Sequence, residues 1–362
     1  MNKFEFVEAL KTTFSFEKEV IKDISLSDIP LNQIFFNQCQ FINVDFSHAQ
    51  LKRLRFVHCQ FTQVSLCKAD LNMVEFNQCQ LQEVDLHASV LEQTVFSECE
   101  LDALDFSQSK QNMVTFKETT YQQVNFHKAN LFMLIMMKSR LDGVNFVGAK
   151  FYKFVANEVE VIDCVFDHAV IEKSSLSNTV LKGNSFKAVN FYAIQLNSCD
   201  LQQIDFSYCR IETCYFIDSQ LQGASLIGAQ ASYSVFKGAD LSEADLSQST
   251  LLGCSFEGAS IRNAQFAKAE LSQSNWQGAT VVGSDFSRVK AQYADFSHAD
   301  LSNCSFYHAD IFSSKFHLTI EDNINWRETN RHSCSGTDAE LQQAQTWKIR
   351  KIKNNKKRDY LA

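Results

Sequence analysis

Three residue types that do chemistry recur in this chain at fixed intervals. Cys39, Cys59, Cys79 and Cys99 stand twenty residues apart; His48, His58, His168, His298 and His308 differ by multiples of ten; Asp45, Asp85, Asp105, Asn125, Asn145, Asp205, Asp245 and Asp285 differ by multiples of twenty. Thiol, imidazole and carboxylate together are the material of metal sites and of nucleophilic catalysis. The spacing speaks against both. A metal site gathers ligands over short local intervals, and no Cys-x-x-Cys pair occurs. The glycines stand singly, so no phosphate-cradling loop is formed, and no serine or aspartate lies in a nucleophile-type context. Intervals of ten and twenty are the arithmetic of a repeat, and neither catalytic residues nor a cofactor, metal or small-molecule substrate is expected. The periodic carboxylates keep two readings: a row that imitates a phosphate backbone, or side chains that support turns and solubility.

One frame positions all of these residues. Counting every fifth residue from Leu31 to Phe316 gives 58 sites, all apolar except Gln111 and mostly Leu or Phe. A period of five matches neither a helix at 3.6 nor a flat strand at 2, so each unit is a short extended piece followed by a bend. The ten glycines of this stretch, Gly143 and Gly148 among them, all fall two residues after an apolar centre, which marks the corner as a site of positive φ. Where Gln38, His48, Arg53, His58 or Gln63 fills that slot, a turn conformation that tolerates a side chain is expected. The histidines share the slot and are read as outward turn residues.

Four bends close a square, and the cysteine column sets the lap at twenty. That column, two residues before a centre, runs on through Thr119, Ser139 and Val159 with nothing larger than Val, which suits a cramped inward position. Val44, Val64, Val84, Leu104, Val124 and Val144 form a bulkier inward column. Gln111, Ala156, Ala231 and Ala291 interrupt the bulky centres and are expected to mark local gaps or shifted packing.

The unit resembles that of the pentapeptide-repeat family, Ala-(Asp/Asn)-Leu-x-x, over roughly four-fifths of the chain. Ala69-Asp70-Leu71, Ala129-Asn130-Leu131, Ala239-Asp240-Leu241 and Ala299-Asp300-Leu301 match it letter for letter. The resemblance implies an all-β fold: a right-handed quadrilateral parallel β-helix with four short strands per lap. At twenty residues per lap and ~4.8 Å between laps, residues 31–316 make about fourteen laps and a rod of roughly 65 to 70 Å. A solenoid is a scaffold, so the fold alone assigns no activity.

The expected organisation is an N-terminal cap over residues 1–30, the β-helix over 31–316, a terminal plug and linker over 317–337, and a basic amphipathic helix or tail over 338–362. An open solenoid end exposes unpaired strand edges, hence the cap, as helix or irregular lap, around Phe4, Phe6, Leu10, Phe14, Phe16 and Ile21. Ile324-Asn325-Trp326 is the expected plug and Arg327 to Thr337 the linker. Asp338 is placed to cap a helix beginning at Ala339. The formal net charge of −8 divides unevenly: residues 31–316 carry 21 Lys and Arg against 30 Asp and Glu, and the remainder to the C-terminus nine against six. The tail concentrates Lys348, Arg350, Lys351, Lys353, Lys356, Lys357 and Arg358, a set that suits nucleic acid, an acidic partner, the chain's own acidic wall or plain solvation.

Ten of the twelve cysteines occupy the small inward position, leaving Cys67 and Cys334 elsewhere, so buried reduced thiols are expected rather than a disulfide framework. No basic-plus-apolar leader is evident, and the longest apolar run, Leu131 to Met137, is too short to span a bilayer, which reads as a soluble cytoplasmic protein.

The outward positions are polar through the first laps and change between Met113 and Val180. Met113, Phe132, Met133, Ile135, Met137, Tyr152 and Val155 form the candidate interface, with Ile162, Val165, Val170 and Val180 further along. Phe132 and Tyr152, Ile135 and Val155, and Met113 and Met133 are each twenty apart and stack on one face. Clustered exposed apolar surface marks an interface, with a second copy or another protein as partner, against the alternative of scattered surface hydrophobes. The leading function is a non-enzymatic protein-interaction scaffold. A second, implied by the family, is DNA mimicry at a gyrase or topoisomerase. A third rests on the ending Gly336-Thr337-Asp338-Ala339-Glu340-Leu341 before Trp347, which is similar to endings of pentapeptide proteins from secretion gene clusters and implies an accessory or effector-loading role in a bacterial secretion apparatus.

Overall fold

Every fifth side chain from Phe16 onward is driven inward, and the chain obeys by turning a corner after each. The computed structural model describes residues 1–187 and 189–346. Successive laps pair in parallel at a register of twenty, from Ser15↔Phe35 to Lys315↔Ser335. The first face is a nine-stranded sheet running from Ser15–Glu17 to Ser175–Ser177, and the second an eight-stranded sheet from Val20–Ser25 to Glu160–Ile162. The third face is a ladder of single bridges beginning Asp45↔Ser65↔Asp85, and the fourth a ten-stranded sheet from Pro30–Asn32 to Arg210–Glu212. This is the quadrilateral parallel β-helix that the frame implies.

The lumen is packed by stacked columns. Phe16, Phe36, Phe56, Phe76, Phe96 and Phe116 lie ring on ring at 4.7 to 5.2 Å, within 15° of parallel. Each buried ring contributes ~1.5–3 kcal/mol, and ordering costs ~1–2 kcal/mol per residue, so laps are stable only as neighbours.

The corner slot has one conformation throughout. Gly143 and Gly148 sit at φ +62° and +67°, as their position requires, yet Gln38, His48, Arg53, His58 and Gln63 adopt the same left-handed region at φ 52–59°. The corners that carry side chains thus use the same left-handed turn as the glycine corners. The strain, ~1–2 kcal/mol at a non-glycine residue, is offset because the slot N–H bonds the next lap, as in Gln38 N–H to the Val57 carbonyl at 2.9 Å and Arg53 N–H to Asn72 at 2.9 Å.

Two corner types divide the rod. In the first laps only the corner after the third face closes on itself, with Ala49 N–H to the Phe46 carbonyl and Ala69 N–H to Leu66, both at 3.0 Å. Beyond residue 200 nearly every corner closes this way, as at Ala224, Ala229, Ala239 and Ala244, and the strands contract to single bridges. The change coincides with the rise in Gly and Ala.

The ends depart from expectation. Residues 1–30 are not all cap: Ser15–Glu17 and Val20–Ser25 already pair in register, with Phe16, Ile21 and Leu26 buried as centres. The cap proper is α1 (Lys3–Ala9), whose capping box joins the Asn2 side chain to Glu5 N–H and the Glu5 carboxylate to Asn2 N–H, both at 2.9 Å. It lowers Phe6 onto Phe16, ring centroids 5.3 Å apart. At the other end, Arg327 to Thr337 is not a linker but completes the last lap, which turns at Asn323 and Glu328 and makes the bridges Ser305↔Asn325 and Lys315↔Ser335. Its centres are Glu321, Trp326 and Arg331. Trp326 stacks on Phe306 at 4.8 Å, and Arg331 lies 4.1 Å above the indole while bonding Glu321 at 2.7 Å. Among the described residues no lap lies above them, and two of these centres are charged, which is why the unbroken apolar frame ends at Phe316.

Candidate functional site

The seven candidate interface residues come together along one edge of the rod, the corner where the fourth face turns into the first. Phe132 and Tyr152 close consecutive strands of the fourth face and stack at 5.5 Å and 9°. Met113 and Met133 fill the corner slot at φ 55° and 50°. Ile135, Met137 and Val155 lie on the first face, where Ile135 pairs with Val155. Met113, Phe132, Met137 and Val155 are 37–44% exposed, whereas Met133, Ile135 and Tyr152 are half-buried against them. The others do not join: Val165 sits on the third face, Ile162 and Val180 on the second, and Val170 begins a fourth-face strand one lap beyond Tyr152.

What the sequence reading missed is the border of this edge. Lys173 Nζ lies 3.2 Å from the Tyr152 hydroxyl and 5.2 Å above its ring, and Lys153 Nζ lies 5.8 Å from the same ring. The hydrogen bond with Tyr152 raises the Lys173 pKa. The recurrence of Lys110 with Lys150 and of Lys153 with Lys173 on the lap was the available signal.

The acidic column is assembled on the third face, where Asp45, Asp85 and Asp105 follow one another with Ser65, and Asp205, Asp245 and Asp285 alternate with Ser225 and Gln265. Each carboxylate commits one oxygen to its own turn, accepting the N–H two residues on at 2.8–2.9 Å: Ser47, His87, Ser107, Ser207, Ser247 and Ser287. All six are half-buried. Partial burial opposes ionisation of Asp45, but hydrogen bonds from Ser47 and Ser25 outweigh it and hold its pKa below the usual value.

The five corner histidines are exposed and in the left-handed conformation. Among the described residues no group of three or more His, Cys, Asp or Glu is placed to hold a metal ion. All twelve cysteines are free thiols, ten of them buried. The column donates its S–H groups to backbone carbonyls, as Cys79 Sγ does to Phe56 and Asn77, both at 3.4 Å. Burial pushes Cys164 and Cys199 up to about 11 and Cys214, Cys254 and Cys304 up to about 12.

Behind the apolar edge the lumen is incomplete. A cavity of about 30 Å³, lined only by apolar groups and Thr179, runs past Ala156, Val159, Val161 and Leu176. Ala156 is thus a gap, as its small size in a centre position implies. Gln111 is buried, its amide donating to Ser109 Oγ at 3.2 Å while its Oε1 lacks a protein partner.

At the C-terminal end α2 (Ala339–Thr346) is capped by Asp338, whose carboxylate accepts Leu341 N–H at 3.0 Å, as expected. It is exposed on all sides and tied to the rod by His317, a buried residue outside the frame that sequence reasoning passed over. His317 Nδ1 accepts Asp338 N–H at 3.1 Å and Nε2 donates to Gln345 Oε1 at 3.2 Å. The basic residues Lys348, Arg350, Lys351, Lys353, Lys356, Lys357 and Arg358, with Trp347, lie outside the described residues. No helix among the described residues is long and apolar enough to cross a membrane.

Profiles of the pentapeptide repeat region match residues 29–106 and 69–146, and profiles of eight-copy pentapeptide repeats match 164–203, 239–278 and 282–317. The chain belongs to the pentapeptide-repeat family. Comparison with curated proteins gives no match. Solved structures similar to this family member include HetL, a pentapeptide repeat protein involved in heterocyst differentiation regulation in the cyanobacterium Nostoc. It is 18% identical over 87% of this chain and 96% of its own, with a TM-score of 0.25. QnrB1, a plasmid-mediated fluoroquinolone resistance protein, is 15% identical over 57% and 96%, with a TM-score of 0.27. A pentapeptide repeat protein of the Arabidopsis thaliana thylakoid lumen is 24% identical over 33% and 81%, also at 0.27.

Proposed function

We propose that this pentapeptide-repeat protein is a non-enzymatic scaffold that holds a protein partner on the edge formed by Met113, Phe132, Met133, Ile135, Met137, Tyr152 and Val155. The observation that carries this reading is the continuity of exposed apolar side chains over three consecutive laps at one corner, where Phe132 and Tyr152 stack and Ile135 pairs with Val155, whereas Ile42, Val165 and Val180 stand exposed on other walls. The edge is rigid, because each of its strands is paired on both sides, so little ordering cost falls on binding. Replacing Phe132, Ile135 and Tyr152 together by serine removes the anchors and leaves the lumen intact. Affinity capture from cells expressing the tagged full-length chain, read beside sedimentation velocity, is expected to lose its principal partner with the triple variant. Unchanged capture and sedimentation refute this edge.

Mimicry of DNA at a gyrase or topoisomerase is the weaker reading. A net −9 over residues 31–316 spreads roughly one charge per 7 to 8 Å of rod, against about one per 1.7 Å in duplex DNA. The third-face carboxylates also spend an oxygen each on turns. A secretion-accessory role rests on the chain's ending alone.

A further inference from the structure

The apolar edge is fenced by cations in a chain that is net acidic. The strip made of residues 110–118, 130–138 and 150–158 carries five lysines and two glutamates, while the whole chain is −8. The nearby ion pairs are Lys117–Glu118, Arg140–Asp142 and Arg140–Glu160; among the described residues no carboxylate pairs with Lys110, Lys138, Lys150, Lys153 or Lys173. These five are exposed: Lys110 and Lys150 at the outer border of the fourth face, Lys153 and Lys173 in the corner, and Lys138 beyond Met137, where it stands between the exposed Glu118 and Glu158 of the same corner column. Glu92 and Glu172 bound the strip at its two ends.

We infer that the partner's contacting element is an amphipathic helix whose apolar stripe is bordered by Asp and Glu, laid along this edge; the inference rests on the interface reading above. A second copy of the chain fits poorly, since two copies of this edge would press lysine against lysine. The chain's own α2 is tied to His317, about 40 Å along the rod at ~4.8 Å per lap. Single-stranded nucleic acid needs free ring faces for stacking, and here Phe132 covers one face of Tyr152 while the Lys173 ammonium lies over the ring at 5.2 Å. A helix also suits the step of the surface. One helical turn rises ~5.4 Å, close to the ~4.8 Å lap, so an i, i+3/i+4, i+7 stripe stays in step over three laps; same-side residues of an extended strand recur every ~6.7 Å and fall out of step. A groove of about 270 Å³ between Val90 and Phe132, bordered by Lys110 and Glu92, receives one anchor side chain.

The test uses the full chain and three fluorescent eighteen-residue helical peptides with one leucine stripe, bordered by Glu, Gln or Lys. Fluorescence anisotropy at low salt is expected to show the Glu peptide binding at least tenfold tighter than the Gln peptide, with the advantage shrinking in 0.3 M salt. The Lys peptide is expected not to bind. The variant K110E/K150E/K153E, checked by circular dichroism, is expected to reverse the order of the Glu and Lys peptides, and F132S/V155S to lose all binding. Equal affinity for Glu and Gln peptides, abolished by F132S/V155S, overturns the acidic partner and leaves the interface standing. Binding that F132S/V155S leaves unchanged, or no binding of any peptide, overturns both. Tighter binding of an oligo-dT strand than of the Glu peptide, lost in K110E/K150E/K153E, overturns the helix in favour of nucleic acid.

Discussion

Ala156→Leu is expected to stabilise the chain. On the first face Ala156 stands in register between Met136 and Leu176, where the phenyl column of the earlier laps has ended, and it borders the cavity. The cavity of about 30 Å³ is room for roughly two waters at ~10–15 Å³ each, and its apolar lining keeps it dry. Leucine adds three carbons. Burying them contributes ~2.4 kcal/mol at ~0.8 each, removing the void adds up to ~0.7 kcal/mol at ~24 cal/mol/Å³, and fixing the longer side chain costs ~0.5–1 kcal/mol. The net gain is ~1.5–2.5 kcal/mol, a rise of ~2–3 °C in Tm for a chain of this size. Long repeat arrays depart from two-state unfolding, so the decisive readout is hydrogen exchange in the laps around residues 136–196, where protection rises. Ala129→Leu, placed in a turn-closing position already filled, is the counter-case and costs ~1–3 kcal/mol. If Ala156→Leu lowers protection or loses more than about 1 kcal/mol, the lumen is closed at this lap and the packing argument fails.

The remaining predictions concern the thiols. Cys79→Ser is expected to cost under about 1 kcal/mol, because the same column already accepts hydroxyls at Thr119 and Ser139, each bonded to a carbonyl, whereas Cys79→Leu costs ~1–3 kcal/mol by overpacking; urea midpoints decide, and equal losses refute a size-limited column. Burial raises five thiols, Cys164 and Cys199 to about 11 and Cys214, Cys254 and Cys304 to about 12, above their unfolded value. The stability they contribute is therefore complete below the unfolded thiol pKa and is lost as pH rises toward 11–12, by up to ~1.4 kcal/mol per pH unit per thiol. Urea unfolding at pH 8 and 10 is expected to show that loss, and a Cys214→Ala/Cys254→Ala/Cys304→Ala chain is expected to lose less between the two pH values than the unchanged chain; an equal loss refutes the attribution.

The centres, the lap and the glycine corners were legible because each is a one-dimensional signal: a residue type at a fixed interval. The first lap was legible too, since Phe16, Ile21 and Leu26 keep the frame, but Lys11 breaks it upstream and Phe4 and Phe14 lie off it. The left-handed corners at Gln38 and Arg53 were not legible, because what holds them is a hydrogen bond to the following lap rather than anything local. The last lap was hidden for a related reason. Glu321 and Arg331 look like a broken frame until they are seen to bond each other over Trp326. The twenty-residue spacing makes the pairs Phe132–Tyr152 and Ile135–Val155 legible, but which wall a column occupies is not a local signal, and Val165 and Val180 lie on other walls.

The same periodicity that fills the lumen limits what the outside can recognise. Each outward column repeats every ~4.8 Å, so a patch exists only where several consecutive laps place the same kind of side chain in adjacent columns. On the third face that condition fails for charge, since Ser65, Ser225 and Gln265 separate the aspartates and the turn N–H groups occupy an oxygen of each. At the corner of the fourth and first faces it holds for apolar character, since Met113, Phe132 and Val155 keep the edge apolar across three laps; Lys110 and Lys150, with Asn130 between them, and Lys153 stand at its border. On the proposed reading, a partner held on this edge would be selected by spacing as well as by charge. A ligand with the right composition but a repeat far from one lap satisfies the first contact and misses the third.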